Sequence, residues 1–342
     1  MKARLFVAGL LVAAAAVPAS AQGVTYERCT TAEVTKYLVD ACYSANDLFR
    51  YMAPQLGTSV AGGNATLGTG STLGGIGHFS LGVRGNVIQG RLPDVGAQFQ
   101  NGATDFDTTG TSVQRNYEVD DQILGAPTVD AAIGLFGGLN LGLTKVGGVD
   151  ALVSASYLPE YDGDEFQVQT PDGGLKLGFG ARVGLIQESI ITPGVSFTYL
   201  RRDLPTVDLL ANVDAGGEAD TIAARGLSVE TTAWRLVASK RFLVFGIAAG
   251  VGQDSYKTAG DLAATVTVDG TTYGGTDETL MTLDTDVKRT NMFADLSMNL
   301  PFLKVIGEVG RVSGGDIGTF STFDKKADDA MLYGSVGLRL QF

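Results

Sequence analysis

The sequence holds few of the residues that usually carry catalysis or metal binding. Its 342 residues include one histidine, two cysteines and one tryptophan. A hydrolytic site needs a base, most often a histidine, and His78 is the single candidate. The same scarcity argues against a histidine-rich metal site. We therefore expect no enzyme, no cofactor, and no catalytic or metal-binding residue.

Long hydrophobic runs are missing except near the amino terminus. Lys2 and Arg4 precede an apolar run from Leu5 to Val17, and Pro18-Ala19-Ser20-Ala21 follows it. This run is shorter than the roughly 20 residues of a spanning helix. It fits a secretory signal peptide over residues 1–21, cut after Ala21.

Positive charge is scarce as well. The chain has 25 basic and 37 acidic residues, a formal charge of -12, and removal of the signal peptide takes away two more positive charges. Phosphate contacts need clustered lysine and arginine, so the composition argues against a nucleic-acid partner.

What the chain does contain is alternation of apolar and polar residues, seen most clearly at its carboxyl end. From Met331 to Phe342 the even-numbered residues are apolar or glycine, and the odd-numbered ones include Tyr333, Ser335 and Arg339. A strand with this pattern has one apolar and one polar face. Nine similar segments precede it, near residues 78–91, 129–135, 149–157, 175–185, 195–199, 225–239, 243–252, 291–300 and 303–309.

The connections between these segments alternate between long and short. Bacterial outer-membrane barrels have short periplasmic turns, longer outer loops and an even number of strands. The closing strand also resembles the assembly signal of such barrels, polar-x-Gly-x-x-apolar-x-apolar, carried by Ser335, Gly337, Leu340 and Phe342. A soluble β-sandwich, which also has alternating strands, predicts connections of similar length at both ends.

The resemblance implies an all-β, antiparallel, up-and-down transmembrane β-barrel of a Gram-negative outer membrane, with a short N-terminal helical segment. We expect ten strands, within a range of roughly 8 to 14. Val266 to Tyr273 is predicted as a small hairpin above the membrane, although counting it would give twelve strands. Residues 78–342 form the barrel, and residues 22–77 a helical and glycine-rich segment that is periplasmic or plugs the lumen. Both termini are expected in the periplasm.

Charges fall on the polar faces of these strands. At bilayer depth they need a wet or protein-filled interior, so we predict that they line the lumen. They form either the selectivity lining of a pore or ion pairs that hold a closed barrel rigid, since ten strands enclose little space. The candidate lumen residues are Arg84, Asn86, Asp130, Asp150, Lys176, Arg182, Arg235, Asp295, Glu308 and Arg339.

Glycines on the same inner faces leave space that water, a small solute or the N-terminal helix could fill. A segment before the first strand resembles the hatch of FadL-type hydrophobic-compound transporters. That likeness is architectural, because their hatch motif Asn-Pro-Ala is absent and Asn64-Ala-Thr does not replace it.

The N-terminal segment has one convincing helical stretch, residues 30–53. Thr30-Thr-Ala-Glu33 resembles a capping box, and Pro54 is expected to end the helix. Residues 57–77 are predicted as a flexible approach to the barrel. A continuous helix would hold Cys29 and Cys42 about 18 Å apart, too far for a disulfide. We predict that they are bonded and that the helix breaks near Asp40, with two free thiols as the alternative.

The function that follows is passive transport of small solutes through a channel with an N-terminal plug. The alternative is a structural or adhesive barrel whose acidic loops bind ions, lipopolysaccharide or another surface. Expected partners are outer-membrane lipid, lipopolysaccharide, the barrel-assembly machinery and a small solute. The solute and the oligomeric state are left open.

Overall fold

Ten long antiparallel strands form the wall of a barrel in the structure, a computed structural model. It describes residues 25–30, 35–95, 106–163, 166–215 and 218–342. The wall strands are β1 (Phe79–Pro93), β2 (Val119–Phe136), β3 (Gly148–Tyr157), β4 (Leu175–Ile186), β5 (Gly194–Asp203), β6 (Glu218–Phe242), β7 (Phe245–Val268), β8 (Met281–Asn299), β9 (Leu303–Ser313) and β10 (Met331–Gln341). The predicted signal peptide lies outside the described residues.

The ring is closed by pairing of the first strand with the last. Each wall strand pairs with its neighbours in sequence, and β1 pairs with both β2 and β10, for example Val83 with Leu338. Closure leaves no unpaired edge within the wall. The predicted all-β, up-and-down barrel of ten strands is confirmed.

Side chains alternate between the outer and inner faces of the wall, as the sequence pattern predicts. On β10 the outward Leu338 is 46% exposed, whereas the neighbouring Arg339 is 5% exposed. The outward face carries a belt of exposed apolar side chains, which suits contact with hydrocarbon. The belt includes Phe79, Leu81, Val83, Ile133, Val153, Leu177, Phe197, Leu236, Ile247, Leu296 and Val309.

The two ends of the barrel differ in the length of their connections. One end, the short-turn end, carries residues 137–147, 187–193, 243–244 and 300–302 between wall strands. The other, the long-loop end, carries the longer connections, as predicted. The β6–β7 turn lies at Leu243, which has a φ of 51°. The pairing of β6 with β7 is irregular between Arg225 and Ser228.

Strands β6, β7 and β8 extend beyond the apolar belt at the long-loop end. The tip of β7 turns at Asp269 and Gly270, whose φ values are 49° and 73°, into the short strand Thr271–Gly275. Positive φ at both central residues is the geometry of a tight hairpin turn. The predicted hairpin above the belt is therefore present. Further short strands are Asn116–Tyr117, Leu139–Asn140, Lys145–Val146, Tyr161–Asp162, Phe166–Gln169, Val207–Ala215 and Thr322–Phe323.

The helix α1 spans Val39–Ala61, with the 3₁₀ turns Glu27–Thr30 and Lys36–Leu38 before it. It begins later than predicted, and no side chain caps it in the manner expected of the Thr30-Thr-Ala-Glu33 box, whose last three residues lie outside the described residues. It also continues past Pro54. Packing outweighs the proline here, because the last two turns are buried and Gly57 lies against the ring of Tyr256. No helix among the described residues is long and apolar enough to cross a membrane.

Cys29 and Cys42 form a disulfide, as predicted, with their Cα atoms 5.7 Å apart. The bond is compatible with α1 because Cys29 belongs to the separate turn Glu27–Thr30. This turn lies at the long-loop end, where Arg28 donates to the carbonyl oxygen of Thr282 at the start of β8. Phe342 and the start of β1 lie at the short-turn end, and residues 25–30 lie at the opposite end. The mature amino terminus itself lies outside the described residues, so the periplasmic position of both termini stays a prediction.

Residues 62–77, the interior segment, connect α1 to β1. The sequence predicts a flexible approach to the barrel, but most of these residues are buried, with Ala65 and Leu67 both under 8% exposed. The segment runs inside the ring of strands from the long-loop end to the short-turn end. It thereby brings its backbone into contact with the inward side chains of the wall.

Candidate functional site in the barrel interior

Nine of the ten predicted lumen residues lie inside the barrel. Eight of them are buried, and Asp130 is partly buried. Lys176 is the exception: it is exposed, although it pairs with Ser156, which is buried on the inner face. Lys176 is the second residue of β4, above the level where the interior segment fills the ring.

Buried arginines pair with buried carboxylates across the interior. Arg84 and Arg202 both contact Asp130, at 3.0 and 2.8 Å. Arg182 lies 2.6 Å from the carboxylate of Asp150 on the neighbouring strand. A buried charge is costly unless it is paired and hydrogen-bonded, so these contacts make the charged interior tolerable.

The same arginines also donate to carbonyl oxygens of the interior segment and of the end of α1. Arg202 donates to Ala61 at 2.8 Å, and Arg235 donates to Gly62 and Gly63, both at 3.0 Å. Lower in the barrel, Arg339 donates to Leu67 at 2.9 Å. These carbonyls lie at and beyond the end of α1, where backbone acceptors have no helical partner.

Carboxylates of the wall accept the N–H groups of the same segment. Glu308 accepts from Gly63 and Asn64, and Asp295 accepts from Gly68 at 2.9 Å. Asp150 accepts from Leu73 at 3.1 Å while it pairs with Arg182. Backbone donors and acceptors that would otherwise be buried without partners are thus matched to charges of the appropriate sign.

Inward glycines leave the space that the interior segment and large side chains occupy. A Cβ at Gly134 would lie 2.3 Å from the carbonyl oxygen of Gly75, and one at Gly337 would lie 2.6 Å from Leu67. A Cβ at Gly250 would meet the ring of Phe293 at 2.3 Å. The sequence left open whether water, a small solute or the N-terminal helix occupies this space. In the structure the N-terminal chain occupies it, but residues 62–75 lie in the lumen and the helix α1 lies above them.

Three interior residues escaped the sequence prediction. Asp254 pairs with Arg235 at 2.5 Å, Asn291 donates to Gly62 at 3.1 Å, and Arg202 joins the group around Asp130. Asn291 is the first residue of the predicted segment 291–300 and is not among the ten candidate lumen residues. Arg202 and Asp254 continue the alternation of β5 and β7 past the points where those strands were predicted to end. Following the alternation further would have found them.

A small cavity of about 20 Å³ lies between the interior segment and the wall, among Ala65, Leu67, Ser80, Arg84 and Arg339. A single water molecule needs roughly 10–15 Å³ on this kind of measure. In this arrangement the cavity has room for water and not for a solute.

At the long-loop end, α1 is clamped by two of the long connections. Asp40 forms two short contacts with the guanidinium of Arg115, at 2.6 and 3.0 Å, and both residues are buried. Asp40 also accepts the N–H groups of Asp107 and Val113. Burial works against the charge of Arg115, but the hydrogen bonds and charge of Asp40 outweigh it and raise the pKa of Arg115.

The second connection is held by Asp47 on the next turns of α1. Asp47 accepts the N–H groups of Phe320 and Ser321 at 2.7 and 2.8 Å, and the hydroxyl of Tyr26 at 2.6 Å. Burial raises the pKa of Asp47 despite these hydrogen bonds, and burial also raises the pKa of Tyr26.

An aromatic stack joins the two connections above α1. Phe323 stacks on Tyr51 and on Tyr117, with ring centroids 4.2 and 5.0 Å away. The hydroxyl of Tyr51 donates to the carbonyl oxygen of Lys325, and burial raises the pKa of Tyr117 to about 12. The long-loop end is therefore covered by α1 and the loops packed on it.

The remaining predicted residues lie away from this interior. His78 is exposed beside β1 at the short-turn end, where its ring lies near the carbonyl of Gly75. In the predicted assembly signal, Ser335 and Gly337 face inward, whereas Leu340 and Phe342 face outward. The role of this signal stays a prediction. Among the described residues no group of three or more histidine, cysteine or carboxylate side chains could hold a metal ion.

No protein-family model matches the sequence. No curated protein matches it. Solved structures of outer-membrane barrels do resemble the fold. A mutant of TodX, described as a monoaromatic hydrocarbon channel, is 12% identical with a TM-score of 0.33, and the match covers 83% of this chain and 73% of TodX.

The toluene transporter TbuX of Ralstonia pickettii is 13% identical with a TM-score of 0.35, and the match covers 86% of this chain and 97% of TbuX. The transport unit of the autotransporter AIDA-I from Escherichia coli is 8% identical with a TM-score of 0.26, with 88% and 98% covered. Such low identities and scores say nothing of a solute. With its closed ring and outward apolar belt, the chain has the architecture of an up-and-down transmembrane β-barrel.

Proposed function

We propose that this protein is a passive outer-membrane channel for small polar solutes, closed by its own N-terminal chain. The observation that carries the proposal is the way in which the interior segment is held. Its backbone is bonded to side chains such as Arg235, Glu308 and Asp295, which stay hydrophilic when the segment moves away. Water can replace such contacts, whereas a sealed apolar core would not fill with water.

The outward surface supports placement in a membrane. Its apolar belt faces away from the charged interior, and charges at bilayer depth are tolerated where they line a wet or protein-filled lumen. With the short turns in the periplasm, as is usual for such barrels, α1 and the long loops cover the outer mouth. The proposal includes no catalysis, and it leaves lipopolysaccharide, the assembly machinery and the solute as proposed partners.

A disulfide lock tests whether the interior segment closes the channel. The Oγ of Thr72 lies 3.3 Å from the position of a Cβ at Gly184 on β4, which is within reach of a disulfide. We expect the oxidised Thr72→Cys/Gly184→Cys protein to pass no current in a planar bilayer. The wild type should show openings, and reduction of the double variant should restore them.

Each single variant, Thr72→Cys and Gly184→Cys, serves as the control, since each changes the packing without forming the link. Single variants that open like the wild type under both redox conditions would assign the closure to the link. Absence of conductance in the wild type and in every reduced variant would contradict a channel. Equal conductance in the oxidised and reduced double variant would contradict closure by this segment.

A second candidate is a structural or adhesive barrel that never opens. It is favoured by the complete packing of the long-loop end, where Tyr43, Phe49, Phe106, Leu262 and Met281 belong to one buried apolar cluster. Uptake of small solutes into liposomes separates the candidates, because an adhesive barrel gives no uptake with or without the lock.

A further inference from the structure

The short-turn end carries exposed apolar side chains at every connection point around its circumference. Ile190 and Leu243 are each 97% exposed, Leu143 is 77% exposed and Phe302 is 71% exposed. Ile76, just before β1, is 88% exposed. Turns that project into water usually carry polar residues, and a contiguous exposed apolar surface marks an interaction site. We call this ring of turn residues the apolar rim.

The long-loop end lacks such a ring within the described residues. Among the described side chains of its connections, 94–95, 106–118, 158–163, 167–174, 204–212, 269–280 and 314–330, Tyr161 is the one large hydrophobic side chain that is strongly exposed. Carboxylates are common there instead, among them Asp107, Glu160 and Asp316. The apolar rim is therefore a property of one end of the barrel and not of turns in general.

Charge also distinguishes the rim. The residues of the short turns and the adjoining end of β6 include Lys145, Lys240 and Arg241 but one acid, Glu188, whose side chain is 11% exposed and 4.0 Å from Arg241. This local excess of positive charge occurs in a chain whose net charge is -12. Basic residues beside exposed apolar ones are the combination found at surfaces that bind anionic lipid.

The rim is continuous with the belt of the wall. Phe79 and Phe342 stack on each other at 5.0 Å where the wall meets the short-turn end, and Phe245 and Phe302 are exposed on neighbouring strands and turns. Tyrosine and tryptophan, whose polar tips favour the membrane surface, are instead found higher on the wall, as at Trp234. The purely apolar phenylalanines therefore indicate that apolar side chains at this end reach the acyl chains of the lipid.

We propose that the apolar rim is embedded in the phospholipid leaflet next to the short turns, where Lys145 and Arg241 bind the phosphates of anionic phospholipid. This inference rests on the proposed placement of the barrel in the outer membrane. It fixes the depth of the barrel, since the membrane then covers the turns themselves and not the strands alone. Anionic phospholipid is the partner of the rim because the rim is continuous with the lipid-facing belt and carries positive charge.

Tryptophan fluorescence in lipid vesicles tests the depth. Trp234 is the single tryptophan, so a Trp234→Phe background allows one reporter at a time. Phe302→Trp and Leu143→Trp report on two separate parts of the rim. In phosphatidylcholine vesicles with bromine near the top of the acyl chains, we expect both reporters to lose most of their emission.

Leu296→Trp in the belt and Tyr161→Trp at the long-loop end are the controls. If Leu296→Trp is quenched and neither rim reporter is, the rim does not lie in lipid and the inference is overturned. The barrel would still span the membrane in that case. This holds whether or not a second copy or another protein covers the rim. Absence of quenching at Leu296→Trp as well would count against the proposed function itself. Quenching of Tyr161→Trp to the same extent would show that quenching does not measure depth. In that case conductance across an unmodified bilayer decides whether the barrel spans the membrane. Quenching by acrylamide from the water then decides whether the rim reporters are buried in lipid.

Charge is tested with brominated phosphatidylglycerol in place of brominated phosphatidylcholine. The rim reporters should prefer the anionic lipid, by roughly fivefold for each basic residue near the surface. Lys145→Gln/Arg241→Gln should abolish that preference, whereas Arg201→Gln, an exposed arginine near the long-loop end of β5, should keep it. A preference that survives in the double variant would overturn the role of these two residues.

Discussion

The carboxylate of Glu308 on β9 accepts the backbone N–H of Asn64 at 2.7 Å, and that of Gly63 at 3.2 Å. A wall residue thus binds the first residues beyond the helix α1. Ser335 on β10 lies 3.2 Å from the same carboxylate, and Asp295, directly opposite Glu308 on β8, also forms a side-chain hydrogen bond with it. The contact thus joins the neighbouring wall strands β9 and β10 to the segment that fills the lumen.

Glu308→Gln should loosen the interior segment. The glutamine amide keeps one acceptor oxygen where the carboxylate has two, so one of the N–H groups of Gly63 and Asn64 loses its partner, and a buried donor without a partner costs about 1–3 kcal/mol. We expect more frequent channel openings in planar bilayers and a lower unfolding temperature in detergent. Glu230→Gln is the matched control, because Glu230 is an exposed partner of Arg201. Unchanged opening in Glu308→Gln would contradict a latch at this position.

The disulfide should stabilise the start of α1. The bond spans a sequence separation of 13 residues. The loop-entropy model gives about 3 kcal/mol for a loop of roughly 15 residues. Cys29→Ala/Cys42→Ala should therefore speed proteolysis near residues 25–42. It should also lower the thermal stability of the outer cover, by which we mean α1 and the long loops packed on it. A thiol assay on denatured, unreduced protein should find no free cysteine, and two free thiols would refute the bond.

Arg115→Gln should release the loop that precedes β2. It leaves Asp40 buried without its cation, and removal of one partner of a buried ion pair costs about 3–5 kcal/mol. Limited proteolysis should cut the loop sooner while the wall stays resistant. Asp121→Asn provides the comparison, because its ion pair with Lys325 is exposed to solvent and such pairs contribute little to stability. Equal cleavage of both variants would argue against the clamp.

Asp47 should make the outer cover dependent on pH. Its pKa in the folded protein is raised by burial, whereas an unfolded aspartate has a pKa of about 3.9. The folded state therefore holds the proton more tightly. Protonated Asp47 therefore stabilises the folded state fully at a pH below its pKa in the unfolded chain. This stabilisation is lost as the pH rises through the pKa that Asp47 has in the folded protein. Relative to Asp47→Asn, wild-type protection of residues 314–330 from protease should fall from about pH 4 upward. A ratio of wild-type to Asp47→Asn cleavage rates that stays constant with pH would contradict the raised pKa of Asp47.

The wall was predictable because alternation and connection length are written residue by residue. Leu338 and Arg339 lie on the faces that their positions predict, and the same rule placed nine of the ten candidate lumen residues inside. The rule fails to describe Lys176 because it assigns a face and not a depth. Burial depends on how far the interior segment reaches, and this is a tertiary property.

The interior segment itself could not be predicted from its composition. Its glycine, serine and threonine content is typical of a linker. Its order comes from backbone N–H and C=O groups that bind Arg235, Asp295 and Glu308, and every sequence has such groups. The helix beyond Pro54 has a similar cause, since the close packing of Gly57 against Tyr256 joins residues almost 200 positions apart.

The route of the interior segment constrains how the molecule is assembled. The chain enters the ring at one end and leaves it at the other before it begins β1, and β1 is joined to β10, the last strand to be made. If the ring closed first, α1 with its disulfide-linked turn would have to pass through the lumen of a ten-strand barrel, which is only a little wider than an eight-strand barrel filled by side chains. The route of the chain therefore favours an order in which residues 62–75 are in place before the seam between β1 and β10 closes.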